Sequence, residues 1–184
     1  MTASDLPPDL VVRIRGGDRR SFETLFRRLH GDLLRYARSL DPAEADDAVQ
    51  TAFVTLWRRR QSLDPGRSVR ALLYTTVRNT LYNHARDTRR RGELLDTMPA
   101  TPSPTQPDDT TDAALLGARI REWLGELPER QQEAFSLSRF DGLSYAEIAD
   151  VMDCSRKTVE NHIGRALRTL RDRLRDAAPD ALLS

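Results

Sequence analysis

Arg156, Lys157, Thr158, Glu160, Asn161 and His162 crowd one short stretch of the chain, and Arg165 and Arg168 follow within two helical turns. These side chains are suited to reading a polar surface and not to breaking bonds. Arg and Lys neutralise phosphate and can make bidentate contacts to guanine, Asn can pair with the edge of adenine, and Glu can accept from cytosine. A second set lies far upstream: Arg78, Asn79, Tyr82, Asn83 and Arg86, with Arg89 just beyond. Arg, Asn and Tyr interleaved on one helix suit phosphate neutralisation together with stacking on unpaired bases. A solvated polar face with a basic end is the competing reading of that helix, and both stay open here. No nucleophile, base or cluster of metal-ligating side chains stands out, so neither a catalytic site nor a metal or other cofactor is expected. Gly16-Gly17 has no Lys-Ser/Thr after it and no strand before it, so it is not a phosphate loop.

The first set must be held by two short helices and a turn. Ser144 and Glu147 make a Ser-x-x-Glu capping box that starts one helix. Ala146, Ile148, Ala149 and Met152 give it a small apolar face. Asp153-Cys154-Ser155 forms the turn, and Ser155 is a good N-cap for the next helix. There Val159, Ile163, Leu167, Leu170 and Leu174 recur at helical spacing and should face inward. A packed back and a polar front whose first turns enter the major groove is the layout of a helix-turn-helix. An ordinary helical hairpin with a solvated face would share much of it.

The rest of the 184 residues reads as helix and linker, with no alternating strand pattern, so the expected fold class is all-α, two small helical domains. Residues 1–17 are an N-terminal segment, 18–92 a first domain, 93–112 an extended linker, 113–178 a second domain and 179–184 a tail. Phe22, Leu25, Phe26, Leu29, Leu33, Leu34, Tyr36 and Ala37 mark an amphipathic helix. Asp41, Pro42 and Glu44 look like N-cap, N1 and N3 of the next helix. Ala71, Leu72, Val77 and Leu81 should be the buried stripe of the helix from Val69 to Arg86. Trp123, Leu124, Leu127 and Phe135 read as core of the second domain. Charge is uneven: residues 1–92 carry 18 Arg against 11 acids, while 93–112 carry five acids and no base. One cysteine, Cys154, excludes an internal disulfide, and its place in the turn suits a small buried side chain. With no long apolar run and no signal-peptide pattern, a cytoplasmic protein without membrane insertion is expected.

Three segments in order resemble the extracytoplasmic-function (ECF) group of the sigma-70 family of bacterial RNA polymerase sigma factors. Asp46-Asp-Ala-Val-Gln-Thr-Ala-Phe-Val-Thr-Leu-Trp57 is similar to the family's polymerase-binding helix. Arg70-Ala-Leu-Leu-Tyr-Thr-Thr-Val-Arg-Asn79 is similar to the helix that meets the −10 promoter element. Leu127 to Ala149 is similar to the entry of domain four and its helix-turn-helix. The chain departs from the pattern at Thr51, where an acid is usual, at Leu72, where Trp is usual, and at Asp153, where Gly is frequent. Asp tolerates a left-handed backbone better than most residues, so the turn can survive.

The resemblance implies a subunit that binds core RNA polymerase and promoter DNA and performs no chemistry itself. A cognate anti-sigma factor is the further partner it implies, with no small-molecule substrate. It assigns Asp46, Asp47, Gln50, Phe53 and Trp57 to the polymerase surface and the helix after Ser155 to the −35 element. The loop residues Ser62, Asp64 and Arg67, with Arg78, Asn79, Tyr82, Asn83, Arg86 and Arg89, go to the −10 element as an opened strand. The rival is a stand-alone helix-turn-helix regulator whose first domain senses a ligand or dimerises. The first block is basic and has no ligand-pocket signature, which speaks against that rival.

Overall fold

The computed structural model describes residues 6, 9–90, 92, 119–120 and 122–177. The expected linker at 93–112 and tail at 179–184 lie outside the described residues. Every regular element among the described residues is helical, so the fold is all-α.

Asp18 opens the first long helix. Its Oδ1 accepts the Arg20 amide at 2.9 Å and its Oδ2 accepts the Ser21 hydroxyl at 2.7 Å. Those bonds, the Ser21 hydroxyl first, hold the Asp18 carboxyl below its usual range. Ahead of it a short helix α1 (Leu10–Arg15) buries Leu10 and Ile14. Helix α2 (Arg19–Leu40) buries Leu25, Leu29, Leu33, Tyr36 and Ala37, as the spacing predicts. Helices α3 (Ala45–Arg58) and α4 (Val69–Arg90) complete a bundle in which α2, α3 and α4 all touch one another. A single 3-10 turn at Arg60–Ser62 begins the connection between α3 and α4.

Two local expectations change. Asp41 does cap amides, those of Ala43 and Glu44 at 3.0 and 3.3 Å, but the helix starts only at Ala45 and residues 42–44 form a turn. On α4 the buried set is Val69, Arg70, Ala71, Leu73, Tyr74, Val77, Arg78 and Leu81, whereas Leu72 is 43% exposed. Each residue advances about 100° around a helix, so Leu72 falls in an outer row with Thr76, Asn79 and Asn83. The buried face is broad because α4 is covered from two sides.

The second cover is the other half of the chain. It comprises α5 (Glu129–Arg139), α6 (Tyr145–Met152) and α7 (Arg156–Ala177), preceded by helical residues 122–125. Helix α6 packs on α4. The buried apolar side chains of both halves form one continuous cluster, from Leu10 to Leu81 and on through Leu137, Ile148, Met152 and Ile163. A smaller cluster of Leu124, Leu127, Phe135 and Ala166 lies in the second half alone, with Leu170 against it. Trp123, expected in this core, is only partly buried. Leu174 is 38% exposed, in the last turns of α7 beyond that cluster.

Candidate nucleic-acid interface

The helix-turn-helix is built as its residues require. Ser144 and Glu147 form the reciprocal capping box at the start of α6. Ile148, Val151 and Met152 make its buried face; Ala146, two positions and about 200° from Ile148, points outward. Asp153 terminates α6 in the left-handed region at φ 50°, the conformation the turn needs. Cys154 is free and half-buried, and burial pushes its thiol pKa up. The Ser155 hydroxyl accepts the Thr158 amide at 3.0 Å and meets the Thr158 hydroxyl at 2.8 Å, closing the first turn of α7.

Val159, Ile163 and Ala166 seat α7 on the core. Arg156, Lys157, Asn161, Arg165 and Arg168 are exposed, and Thr158, Glu160 and His162 half-buried. Glu160 lies between two cations, 3.7 Å from Arg156 and 3.2 Å from Lys157. Such exposed pairs contribute about 0–1 kcal/mol each, so a phosphate or base edge displaces them easily. The His162 Nδ1 is buried with no hydrogen-bond partner in the protein, so of this group only His162 aims a ring atom inward.

The candidates on α4 separate into two rows. Asn79 and Asn83 stand on the outer row beside Leu72, and Tyr82, Arg86 and Arg89 are exposed as well. So are Ser62, Asp64 and Arg67 in the preceding loop, where Asp64 Oδ1 accepts the Gly66 amide at 2.8 Å. Arg78 is the exception, only 6% exposed. Its Nε donates to Glu133 Oε1 at 2.8 Å and its guanidinium lies 4.4 Å from the Tyr82 ring centroid. Burial works against the Arg78 charge, but Glu133 more than offsets it and raises the pKa. The Tyr36 hydroxyl donates to the same carboxylate at 2.8 Å; burial, and then that carboxylate, push the phenol pKa well up. Arg70, about two turns earlier on the same helix, is also buried. Neither Arg70 nor Glu133 was among the sequence candidates, since contacts between the two halves leave no mark in local spacing.

A different surface lies between α2 and α3. Phe22, Phe26, Phe53, Val54 and Trp57 line a groove of about 580 Å³, with Asp46, Gln50 and Arg58 on its rim. Phe53 is buried and floors it, while Phe26 and Val54 remain 39% and 41% exposed. The rings pack at centroid distances of 5.0 Å for Phe22–Trp57 and 4.8 Å for Phe26–Phe53. Arg60 lies over Trp57 at 4.5 Å. Asp46 pairs loosely with Arg38 at 3.4 Å, and Asp47 is exposed on the same helix but outside the groove. Phe22 and Phe26 were missed as surface candidates because their type and spacing read as core, and Val54 was not singled out.

The family comparisons agree with this arrangement of parts. The pattern of sigma-70 region 2 matches residues 25–91, and that of sigma-70 region 4 matches residues 117–170. The RNA polymerase sigma factor CnrH of Cupriavidus metallidurans is 30% identical over 177 residues, covering 90% of this chain and 93% of that protein. The ECF RNA polymerase sigma factor SigL of Mycobacterium tuberculosis is 32% identical over 143 residues, covering 76% and 80%. The solved structure of CnrH in complex with the cytosolic domain of CnrY superposes with a TM-score of 0.64 at 31% identity, over 94% of this chain and 99% of that one. Region 2 falls on α2 to α4, region 4 on α5 to α7 and the helical residues before them, and both matches run in the order of the chain. The chain therefore belongs to the ECF group of sigma-70 RNA polymerase sigma factors.

Proposed function

We propose that this sigma factor docks core RNA polymerase through the aromatic groove of α2 and α3, reads the −35 element with α7, and captures the opened −10 strand with α4. The observation that carries the reading is the separation of three exposed surfaces on one small scaffold: an apolar groove with a polar rim, and two polar, Arg-bearing helix faces. Asp46, Asp47 and Gln50 serve the polymerase contact as polar partners around Phe26, Val54 and Trp57. Arg156, Lys157, Thr158, Glu160, Asn161 and His162 meet base edges, with Arg165 and Arg168 nearer phosphate. Asn79 and Asn83 hydrogen-bond an exposed base edge, Tyr82 offers a stacking ring, and Arg86 and Arg89 hold the backbone. Ser62, Asp64 and Arg67 line the mouth of a pocket for a flipped base.

The chain carries out no catalysis in this reading; nucleotide transfer belongs to the polymerase. Its two domains span 18–92 and 113–178, joined by the acidic Pro-rich linker, and it works in the cytoplasm. No helix among the described residues is long and apolar enough to cross a membrane, which is compatible with that address. An anti-sigma factor is the expected inhibitor: the similar CnrH structure contains the cytosolic domain of CnrY.

Permanganate footprinting of open complexes tests the −10 assignment. An Asn79→Ala, Asn83→Ala double variant should bind core polymerase normally and show weak thymine reactivity at the start site. Full reactivity would mean that melting and −10 readout lie elsewhere.

A further inference from the structure

Helix α4 carries an apolar side chain on its outer row. Leu72 is 43% exposed, although its neighbours Ala71 and Leu73 are buried and α6 packs on the same helix. Along its row stand the half-buried Thr76 and the exposed Asn79 and Asn83, and the exposed Arg86 follows. The Thr76 hydroxyl donates to the Leu72 carbonyl at 2.7 Å. With that hydroxyl committed to the helix backbone, Thr76 keeps its methyl for contact. The row therefore changes character along the helix: aliphatic at Leu72 and Thr76, amide at Asn79 and Asn83, cationic at Arg86.

A single apolar side chain on a surface is ordinary by itself. Its company on α4 narrows what can cover it. A protein partner would need a contiguous apolar area, and Asn79, Asn83 and Arg86 deny one along this row. A nucleic-acid strand needs groups for base edges and for phosphate along its length, and the row supplies both. Leu72 also lies in the first turn of α4, just after the loop of Ser62, Asp64 and Arg67. The aliphatic step is thus continuous with the residues assigned to the −10 strand. What a leucine can recognise there follows from chemistry. The Trp usual at this position offers a ring that stacks on any base. Leucine has no ring. It gains by burying alkyl surface, and the C5-methyl of thymine is the alkyl group that the DNA bases offer.

We infer that Leu72, with the Thr76 methyl, forms an apolar seat for the C5-methyl of one thymine in the opened −10 strand, and that this seat selects thymine by its methyl. Leu72 and Asn79 are seven residues apart, about 10 Å along the helix. At about 3.4 Å per stacked nucleotide this spans about three nucleotides. The thymine at Leu72 is therefore a different base from the one held by the asparagines, and the two readouts act independently. The inference rests on the −10 reading above.

The test uses holoenzyme assembled from core polymerase and the full chain. Fluorescence anisotropy compares labelled oligo-dT with oligo-deoxyuridine of equal length, which differ only by the methyl. Wild type should bind oligo-dT roughly fourfold more tightly, the gain from one buried methyl. Leu72→Ala should lower oligo-dT affinity to the oligo-deoxyuridine level and change the latter little. Leu72→Met keeps an alkyl contact and should retain most of the preference. Thr76→Ser keeps the hydroxyl bond, loses the methyl and should reduce the preference. Methyl groups met by the polymerase itself contribute equally to every variant and cancel in the double-mutant cycle. Equal binding of the two oligonucleotides by wild type, or an equal loss for both in Leu72→Ala, would overturn the seat. Unchanged helical circular dichroism guards against unfolding; if Leu72→Ala loses helicity, Thr76→Ser carries the test and must reduce the preference. The Asn79→Ala, Asn83→Ala double variant should weaken both oligonucleotides by one factor and keep the thymine preference. If it leaves both affinities unchanged while Leu72→Ala abolishes the preference, the seat stands and the edge readout lies elsewhere. If it weakens both and Leu72→Ala does the same, the −10 reading stands and the seat falls.

Discussion

Ser68 and Glu147 join the starts of two helices through one carboxylate. The Ser68 hydroxyl accepts the Ala71 amide at 3.1 Å in the first turn of α4 and donates to Glu147 Oε1 at 2.6 Å. The other carboxylate oxygen of Glu147 accepts the Ser144 amide at 2.9 Å in the capping box of α6. A cap on one domain is therefore also a contact to the other. Local helix formation and domain docking share a group that titrates.

This link gives acid stability a definite sign. Burial opposes the Glu147 charge, but the Ser68 and Ser144 bonds, with Arg70 nearby, hold its pKa below the usual value. Its contribution is present above about pH 4.5 and is lost as pH falls through the lowered pKa. Asp141 has the opposite sign. Burial raises its pKa and Arg35 only partly counters it, so its contribution is complete at low pH and is lost as pH rises through the raised value. Thermal melts between pH 3 and pH 6 should show a shallower acid limb for Glu147→Gln than for wild type, and a steeper one for Asp141→Asn. Parallel limbs in all three proteins would contradict this account.

Asn161 and Arg168 should differ in kind. Asn161→Ala removes a candidate base contact near the start of α7 and should alter −35 preference, by about 1–3 kcal/mol of discrimination. Arg168, two turns later, donates to its own backbone at Gly164 O over 3.4 Å and is free to swing to phosphate. Arg168→Ala should weaken binding evenly across sequences and flatten its salt dependence. Promoter-library transcription and salt-titrated binding separate the two outcomes.

Val54 is the sharpest probe of the groove. It is exposed on α3, so Val54→Asp should leave the bundle folded while placing a charge among Phe22, Phe26 and Trp57. Co-elution with core polymerase should fall at least tenfold, and Asp47→Arg or Gln50→Ala should reduce it less. Retained co-elution of Val54→Asp, with helicity intact, would remove the groove from the polymerase interface.

Asp153 holds a left-handed conformation that costs a side-chain-bearing residue about 1–2 kcal/mol. Asp153→Gly should raise the stability of the full chain by roughly 0.5–1 kcal/mol without altering −35 selectivity, because the side chain makes the turn and not the reading face. Denaturant unfolding with the slope unchanged checks it.

The amino-acid sequence determined the parts governed by near neighbours. The spacing of Leu25, Leu29 and Leu33, the Ser144–Glu147 box, the Asp153 turn and the Ser155 cap are all set within one or two helical turns. The exposed polar front of α7 follows from that same local periodicity. What only the tertiary structure decided is which face of each helix a distant element covers. Arg78 reads as a free polar side chain until Glu133 is brought against it, and Phe22 and Phe26 read as core until α2 and α3 leave a groove between them. Leu72 is apolar and yet lies outside because the α4 rows on either side of it are the ones claimed by the two halves of the protein. Periodicity says that a helix has an inner and an outer face. It does not carry the number of partners, and a helix packed from two sides buries charged residues that a helix packed from one side would leave in water.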